Sequence, residues 1–477
     1  MNEHLQIKQK IIFGLLVLFL LSLFFFCSFG RYETDFFWII KGGEWILNNH
    51  QIPHQDIWSY SMPTYPWVFH EWASGIIMHL IYTKAGGWGL SLLTSILVTW
   101  AILLNNSKKI IVKYYLVFIF FSSLINCYIW IFRPQVFSFL GVSLVFYFLT
   151  NYFKTKKIKY LIFLPLIFLV WANLHGGFFI GLCLFFYLFI LKTLQKKDFL
   201  KNFLFFEPLK KKNLIILLSF FLISVCATLI NPYGIHLYRE VLLTFYAPLA
   251  CVGEWLPNNN FLMGIPIVLF VPITLFVFRK IPFEIISVAY IGIFSIFFQK
   301  FIPIFLILAI VPFCLALEEF VKIKGIEKIT NLLNRFKYGF YFLFIVIILV
   351  FTQLIVASKA TFPVNAVKYL NQNEPPGKRM YNEYGWGGYL IYHYPEQKVF
   401  ADGRMSSWVT KDAYFAKDDL KSIMRVNRNY QQTIKKYNID WMIFDPNKNK
   451  LLLSYLKMNN EWVEIYKDDI SVIYKKK

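Results

Sequence analysis

Cysteine is scarce in this sequence. Six stand in 477 residues, as Cys27, Cys127, Cys183, Cys226, Cys251 and Cys314. None forms a CxxC pair and none follows Cys314. That pattern excludes a zinc ribbon or a disulfide framework, and leaves the thiols as small apolar packing groups in helices. Charge is also in short supply. Charged residues make up 16% of the chain, against about 25% in soluble domains. Internal repeats and low-complexity tracts are missing. The first apolar run, 11–29, has no small-x-small cleavage site after it and is long for a signal-peptide core. Phe25-Phe26-Cys27 also lacks the small residue that precedes a lipidated cysteine. The run is expected to be a retained first span.

What the chain has is apolar bulk: 57% hydrophobic residues, 53 of them phenylalanine. Apolar runs recur at membrane length, at 11–29, 87–104, 110–126, 134–153, 158–173, 176–192, 213–230, 261–278, 281–298, 301–318 and 338–357. The expected fold class is an all-α polytopic membrane bundle of about eleven transmembrane helices. Residues 72–83 are expected either to lie along the interface or to extend the second span. The net charge of +22 does not point to nucleic acid, because the basic residues cluster between apolar runs. With the N-terminus in the cytoplasm, the inner loops receive Lys8 and Lys10, Lys108, Lys109 and Lys113, Lys154 to Lys159, Lys192 to Lys212, Arg279 and Lys280, and Lys322 to Lys337. The outer loops receive only Arg31, Lys41, Lys84, Arg133, Arg239 and Lys300. This bias predicts a multi-pass protein of the inner (cytoplasmic) membrane with its C-terminal tail outside.

The domains follow from that topology: a transmembrane part over 1–357 and an extracytoplasmic α/β domain over 358–477. In the tail, PVNAVKYLNQ reads as a helix, and GGYLIYHYP, QKVFAD, DWMIFD, EWVEIYKDD and SVIYK read as short strands. Mixed acids, bases and amides gather in the outer loops. Asp35, Asp56, His70 and Glu71 fall in the first, Arg133 and His175 at outer turns, Glu254 in a later loop and Lys300 at the next turn. A transporter more often places ionisable groups mid-membrane, and here the apolar runs contain very few.

Asp35 stands out. Thr34 can cap a helix beginning at Asp35. Phe36, Ile39, Ile40, Ile46 and Leu47 then recur at helical spacing, which predicts an interfacial helix with its apolar face in lipid. Gly42 and Gly43 each weaken that helix by about 1 kcal/mol relative to alanine, so packing must support it. A carboxylate fixed there suits general-base work. The plain alternative is that Asp35 only complements the helix dipole.

ETDFFWIIKGGEWIL, with IPHQDIWSYSMPTYPWVFHEW, NLHGGF, NPYG, YGWGGYLIY and VFADGR, resembles the type-C fold integral membrane glycosyltransferases (GT-C), in a bacterial branch of that superfamily. The resemblance implies an acidic residue just after the first span, interfacial helices in the first outer loop and a polyprenyl-phosphate-linked sugar donor. It implies that Asp35 is catalytic. The frequent adjacent acidic pair is absent, since Phe36 follows Asp35, and Asp56 is favoured as the second acid.

The activity so implied is transfer of the sugar to a glycan, lipid or protein acceptor on the outer membrane face. The alternative from another class is a carrier, or a non-catalytic assembly protein, for lipid-linked envelope saccharides. Transfer needs a base, cations at the departing phosphate and aligned substrates. Arg133, His175 and Lys300 are candidates for the phosphate, against plain roles as headgroup contact, turn residue and snorkelling lysine. His70 and Glu71 could join Asp35 or Asp56 around Mg²⁺ or Mn²⁺. Glu254, Trp386, Asp402 and Arg404 are candidates for acceptor or sugar binding, and the alternative for the last three is that they shape the tail.

Overall fold

The computed structural model describes residues 3–104, 130–194, 209–246, 271, 274, 282–324, 362–406, 408 and 416–477. In chain order the elements are α1 (Glu3–Ser28), α2 (Phe36–Asn49), α3 (Trp72–Leu104), α4 (Gln135–Thr155), α5 (Lys159–Leu174), α6 (Phe178–Leu194), α7 (Lys211–Thr228), α8 (His236–Tyr246), α9 (Pro282–Phe297), α10 (Ile302–Lys324) and α11 (Val364–Gln372). Then come β1 (Met380–Asn382), α12 (Gly387–His393), α13 (Ala416–Met424), α14 (Tyr430–Tyr437), β2 (Trp441–Phe444), α15 (Lys450–Met458), β3 (Trp462–Lys467) and β4 (Val472–Lys476). The protein is thus mostly helical with one small mixed sheet.

Two compact units divide the chain. One holds 1–31, 84–234 and 252–358; the other holds 32–83, 235–251 and 359–477. The first is the apolar one. Among the described residues four helices are long and apolar enough to cross a membrane: α3, α4, α7 and the run Gln299–Phe320 that contains most of α10. Four shorter apolar stretches, Phe13–Ser28, Lys159–Leu174, Phe178–Leu194 and Ile285–Phe297, accompany them. All eight coincide with expected spans. The expected spans 110–126 and 338–357, and 261–278 apart from 271 and 274, lie outside the described residues. Residues 72–83 extend the second span. They continue into it as α3, whose path breaks at Gly86, with φ 56° and ψ −152°. Large side chains such as Leu18, Ile162, Leu166, Leu222 and Ile293 are exposed on these helices, as lipid-facing residues must be.

At the centre of this unit α4, α5 and α6 meet on Trp171, which is 2% exposed. A β-carbon at Gly181 would lie 2.4 Å from the Trp171 ring, and one at Gly141 would lie 2.5 Å from it. Both glycines therefore admit the indole between neighbouring helices. Gly181→Ala is expected to cost about 1–3 kcal/mol through overpacking. Thermal unfolding of the detergent-purified protein should show a midpoint several degrees lower; an unchanged midpoint would mean that the helices part without cost.

In the second unit the sheet order is β1-β2-β4-β3, with β1 parallel to β2 and the other pairs antiparallel. β2 is buried at all four positions, as its unbroken apolar sequence requires in a central strand. DWMIFD, EWVEIYKDD and SVIYK form β2, β3 and β4, and PVNAVKYLNQ forms α11. Two expected strands are not strands. GGYLIYHYP folds as α12, and QKVFAD makes only an isolated bridge from Val399 to Ser59. α12 packs on α2: a β-carbon at Gly388 would lie 2.5 Å from the Thr34 carbonyl oxygen. Helix-on-helix packing has overridden the strand propensity of its tyrosines and isoleucine.

α2 also differs from expectation. It starts at Phe36, with Asp35 as its N-cap. Its apolar residues Phe36 to Ile40 and Ile46 are buried within the protein, not laid in lipid. The glycines explain this. A β-carbon at Gly43 would lie 2.1 Å from the Gly75 carbonyl oxygen, and one at Gly42 would lie 2.5 Å from the Phe69 ring. The close approach of α3 supplies the packing that the glycine pair demands.

Candidate active site

Asp35 follows α1 by a short connection and lies at the start of α2. An N-cap aspartate usually accepts a backbone N–H of the first turn; here no such side-chain bond forms. Instead Trp38 Nε1–H donates to Asp35 Oδ1 at 3.0 Å. The carboxylate, which is half-buried, is thus held through a side chain one turn along. It also lies against the backbone of Gly403, where a β-carbon would come 1.8 Å from Oδ1.

Asp56 occupies a different setting. Arg404 Nη1–H donates to Asp56 Oδ1 at 2.8 Å. The other face of the guanidinium grips Asp402 with two bonds, Nε–H to Oδ1 at 2.8 Å and Nη2–H to Oδ2 at 2.7 Å. All three side chains have 0% exposure. Asp56 further accepts the backbone N–H groups of Trp58 at 3.2 Å and Ser59 at 3.0 Å, and the Ser59 hydroxyl. The rings of Trp58, Trp67 and Trp408 surround the Arg404 guanidinium at 4.9, 4.9 and 5.2 Å. Burial works against its charge, but Asp402 and Asp56 outweigh that and push its pKa above the usual arginine value. This is a closed node of one cation shared by two carboxylates.

The geometry therefore bears on four expected roles. Asp56 as second acid would have to leave Arg404 and the three bonds donated by Trp58 and Ser59. Asp402 and Arg404 as sugar ligands, and Trp386 at 2% exposure, are enclosed within the fold. Tyr389 stacks on Phe362 with ring centroids 5.0 Å apart. These tail side chains are packed inside their unit. Glu254 lies outside the described residues.

The cationic candidates come from the apolar unit. α4 starts just after Arg133, with Pro134 as its N-cap. From its first turn Gln135 Nε2–H donates to the Lys300 carbonyl at 3.4 Å. Ser138, one turn along the same face, bonds His175. Hence the turns bearing Lys300 and His175 both meet the end of α4 that Arg133 precedes. All three side chains are half-buried. A helix N-terminus adds its own partial positive charge there.

The tautomer of His175 follows from its bonds. Gly177 N–H donates to Nδ1 at 3.0 Å, so that nitrogen carries no proton. Ser138 Oγ lies 2.7 Å from the same nitrogen and accepts Trp171 Nε1–H at 2.8 Å. The serine hydroxyl therefore donates to Nδ1, and the imidazole proton sits on Nε2. Ser138→Ala should strand the buried Trp171 N–H, costing about 1–3 kcal/mol. It should also shift the Nδ1 resonance of ¹⁵N-histidine-labelled protein, since that nitrogen keeps the Gly177 N–H but loses the serine donor; an unmoved resonance would remove Ser138 from this role.

His70 and Glu71 form a pair, Nε2 to Oε1, at 3.8 Å. Among the described residues no three histidine, cysteine, aspartate or glutamate side chains gather as metal ligands. Asp56, one of the expected ligands, is enclosed with Arg404. The residues described do not compose the expected Mg²⁺ or Mn²⁺ site.

Sequence reading did not find Ser138, Trp171, Trp38 or Gly403 as supports of the site. Only Trp38 carried a local signal, three residues beyond Asp35 on one helical face.

No protein-family model matches this chain, and no curated protein matches it, so the bacterial branch rests on motif likeness alone. Solved structures do match. The archaeal oligosaccharyltransferase AglB from Archaeoglobus fulgidus, in complex with an inhibitory peptide and a dolichol-phosphate, aligns over 92% of this chain and 70% of its own, at 12% identity and TM-score 0.53. The Archaeoglobus fulgidus oligosaccharyltransferase tethered with an acceptor peptide containing the NVT sequon aligns over 97% of this chain and 73% of its own, at 11% identity and TM-score 0.52. The same enzyme in complex with Zn and sulfate aligns at 12% identity and TM-score 0.48, over 96% of this chain and 73% of its own. The chain shares the fold of this archaeal oligosaccharyltransferase.

Proposed function

We propose that this protein is a membrane glycosyltransferase that moves a sugar from a polyprenyl-phosphate-linked donor to an acceptor on the outer face of the cytoplasmic membrane. The observation that carries the reading is the shared fold, over 92% of the chain, with an oligosaccharyltransferase whose structure holds a dolichol-phosphate. Asp35 takes the proton from the acceptor hydroxyl or amide as its oxygen or nitrogen bonds the anomeric carbon. The bond from that carbon to the phosphate oxygen breaks, and the phosphate leaves with the electron pair. Arg133, His175 and Lys300 are assigned to the departing phosphate. Arg133 suits it because a guanidinium meets two phosphate oxygens with parallel bonds. His175 suits it as an Nε2–H donor, since Nδ1 is already occupied. The orientation, with loop one and the tail outside, rests on the lysine bias of the loops.

The test is to reconstitute the purified protein in vesicles with radiolabelled polyprenyl-phosphate sugars. Release or transfer of the sugar supports the enzyme. Movement of the intact lipid-linked sugar across the bilayer without cleavage would replace it with a carrier.

A further inference from the structure

We infer that Gly403 and Trp38 are the positioning residues of Asp35, so that the tail builds the reactive end of loop one. The inference rests on the reading of Asp35 as general base. Two motifs separated by more than three hundred residues meet here. Trp38 Nε1–H holds Oδ1 from one side at 3.0 Å. The Gly403 backbone closes the other, in the space where a β-carbon would stand 1.8 Å from that oxygen.

The turn carrying Gly403 is itself fixed on both flanks. Asp402 and Arg404 belong to the buried ion node with Asp56. The Arg404 N–H donates to Asp402 Oδ1 at 3.0 Å, and Tyr384 O–H donates to the Gly403 carbonyl at 3.3 Å. Asn382 of β1 receives the Phe400 N–H on Oδ1 at 2.8 Å, and its Nδ2–H donates to the Ala401 carbonyl at 2.8 Å. The α12 N-terminus wedges between this turn and loop one. A β-carbon at Gly387 would lie 2.3 Å from the Ala401 carbonyl oxygen, and one at Gly388 would meet the Thr34 carbonyl. The rotamer of Asp35 is therefore set by a chain of contacts that ends in the sheet, which is how a reacting group is held on rigid elements.

A methyl at residue 403 conflicts with the end of a short side chain, not with backbone. Asp35 can yield by turning its carboxylate away and releasing Trp38. The fold survives while the base is misplaced, and a displacement of about 1 Å costs on the order of a hundredfold in rate.

The test uses Gly403→Ala, Trp38→Phe and Asp35→Asn in the full chain. The first readout needs no turnover: the indole ¹H–¹⁵N resonance of Trp38, identified by its loss in Trp38→Phe, should move in Gly403→Ala. An unmoved resonance overturns the inference. The second uses radiolabelled polyprenyl-monophosphate glucose and mannose. Gly403→Ala should lower kcat about a hundredfold at unchanged donor KM, and add nothing further in the Asp35→Asn background. Full turnover in Gly403→Ala beside a dead Asp35→Asn overturns the inference and leaves the base assignment standing. Full turnover in Asp35→Asn removes the base assignment itself. Trp38→Phe, which keeps the ring packing, should repeat the kcat loss if Gly403→Ala fails to accumulate.

Discussion

Arg404→Ala is expected to unfold the unit made of residues 32–83, 235–251 and 359–477. The substitution would leave Asp56 and Asp402 as two buried carboxylates with no cation, enclosed by Trp58, Trp67 and Trp408. Breaking a buried ion pair costs about 3–5 kcal/mol, and the whole stability of a domain is only about 5–15 kcal/mol. Arg404→Lys should fail nearly as badly. Three guanidinium bonds to two acids, at 2.7–2.8 Å, cannot be reproduced by one ammonium group. Asp56→Asn should be milder, since an amide oxygen can still accept the Trp58 and Ser59 N–H groups. The three flanking indoles supply the measurement: denaturant unfolding followed by tryptophan emission should give midpoints in the order wild type, Asp56→Asn, Arg404→Lys, Arg404→Ala. Alanine tolerated at 404 would show that water reaches the node and that the tail motifs are not its support.

The apolar helices were legible in the sequence because a span announces itself by length and hydropathy alone. β2, β3 and β4 were legible for the same local reason: each is a short apolar or alternating run between turn signals. α12 was not. Its tyrosines and isoleucine favour a strand, and only the seat that Thr34 and α2 offer makes GGYLIYH a helix. Gly42 and Gly43 gave half an answer, since the need for compensating packing could be read, but Phe69 and Gly75 as its source could not. The larger gap concerned the charged motifs. Asp56 read as a second acid, and Asp402 and Arg404 as sugar ligands or as shapers of the tail, because charged residues have no visible partner in one dimension. Their partners lie 348 residues apart in the Arg404–Asp56 bond, and no spacing rule reaches that far. Asp35 was marked by its position after the first span, and the structure makes it the N-cap in place of Thr34 and adds a bond to Trp38.

Asp35→Asn is expected to lower the rate of sugar transfer by about 10²–10⁴-fold, the range lost with a general base, while leaving the protein folded. The separation of chemistry from stability follows from the contacts. Asp35 caps no backbone N–H of α2, so a neutral amide removes no helix bond. The asparagine side-chain oxygen still accepts Trp38 Nε1–H, and the new NH₂ occupies the place of the second carboxylate oxygen. Proton acceptance at residue 35 is lost. Asp35→Glu should not restore it, because the added methylene drives the carboxylate against Gly403 or away from Trp38. The contrast with Asp56→Asn is the sharper measurement: the substitution at residue 35 should change turnover at an unchanged unfolding midpoint, and the one at residue 56 should lower the midpoint first. Turnover lost in proportion to unfolding in both variants would make Asp35 one more structural acid of loop one, and the base would have to be sought elsewhere.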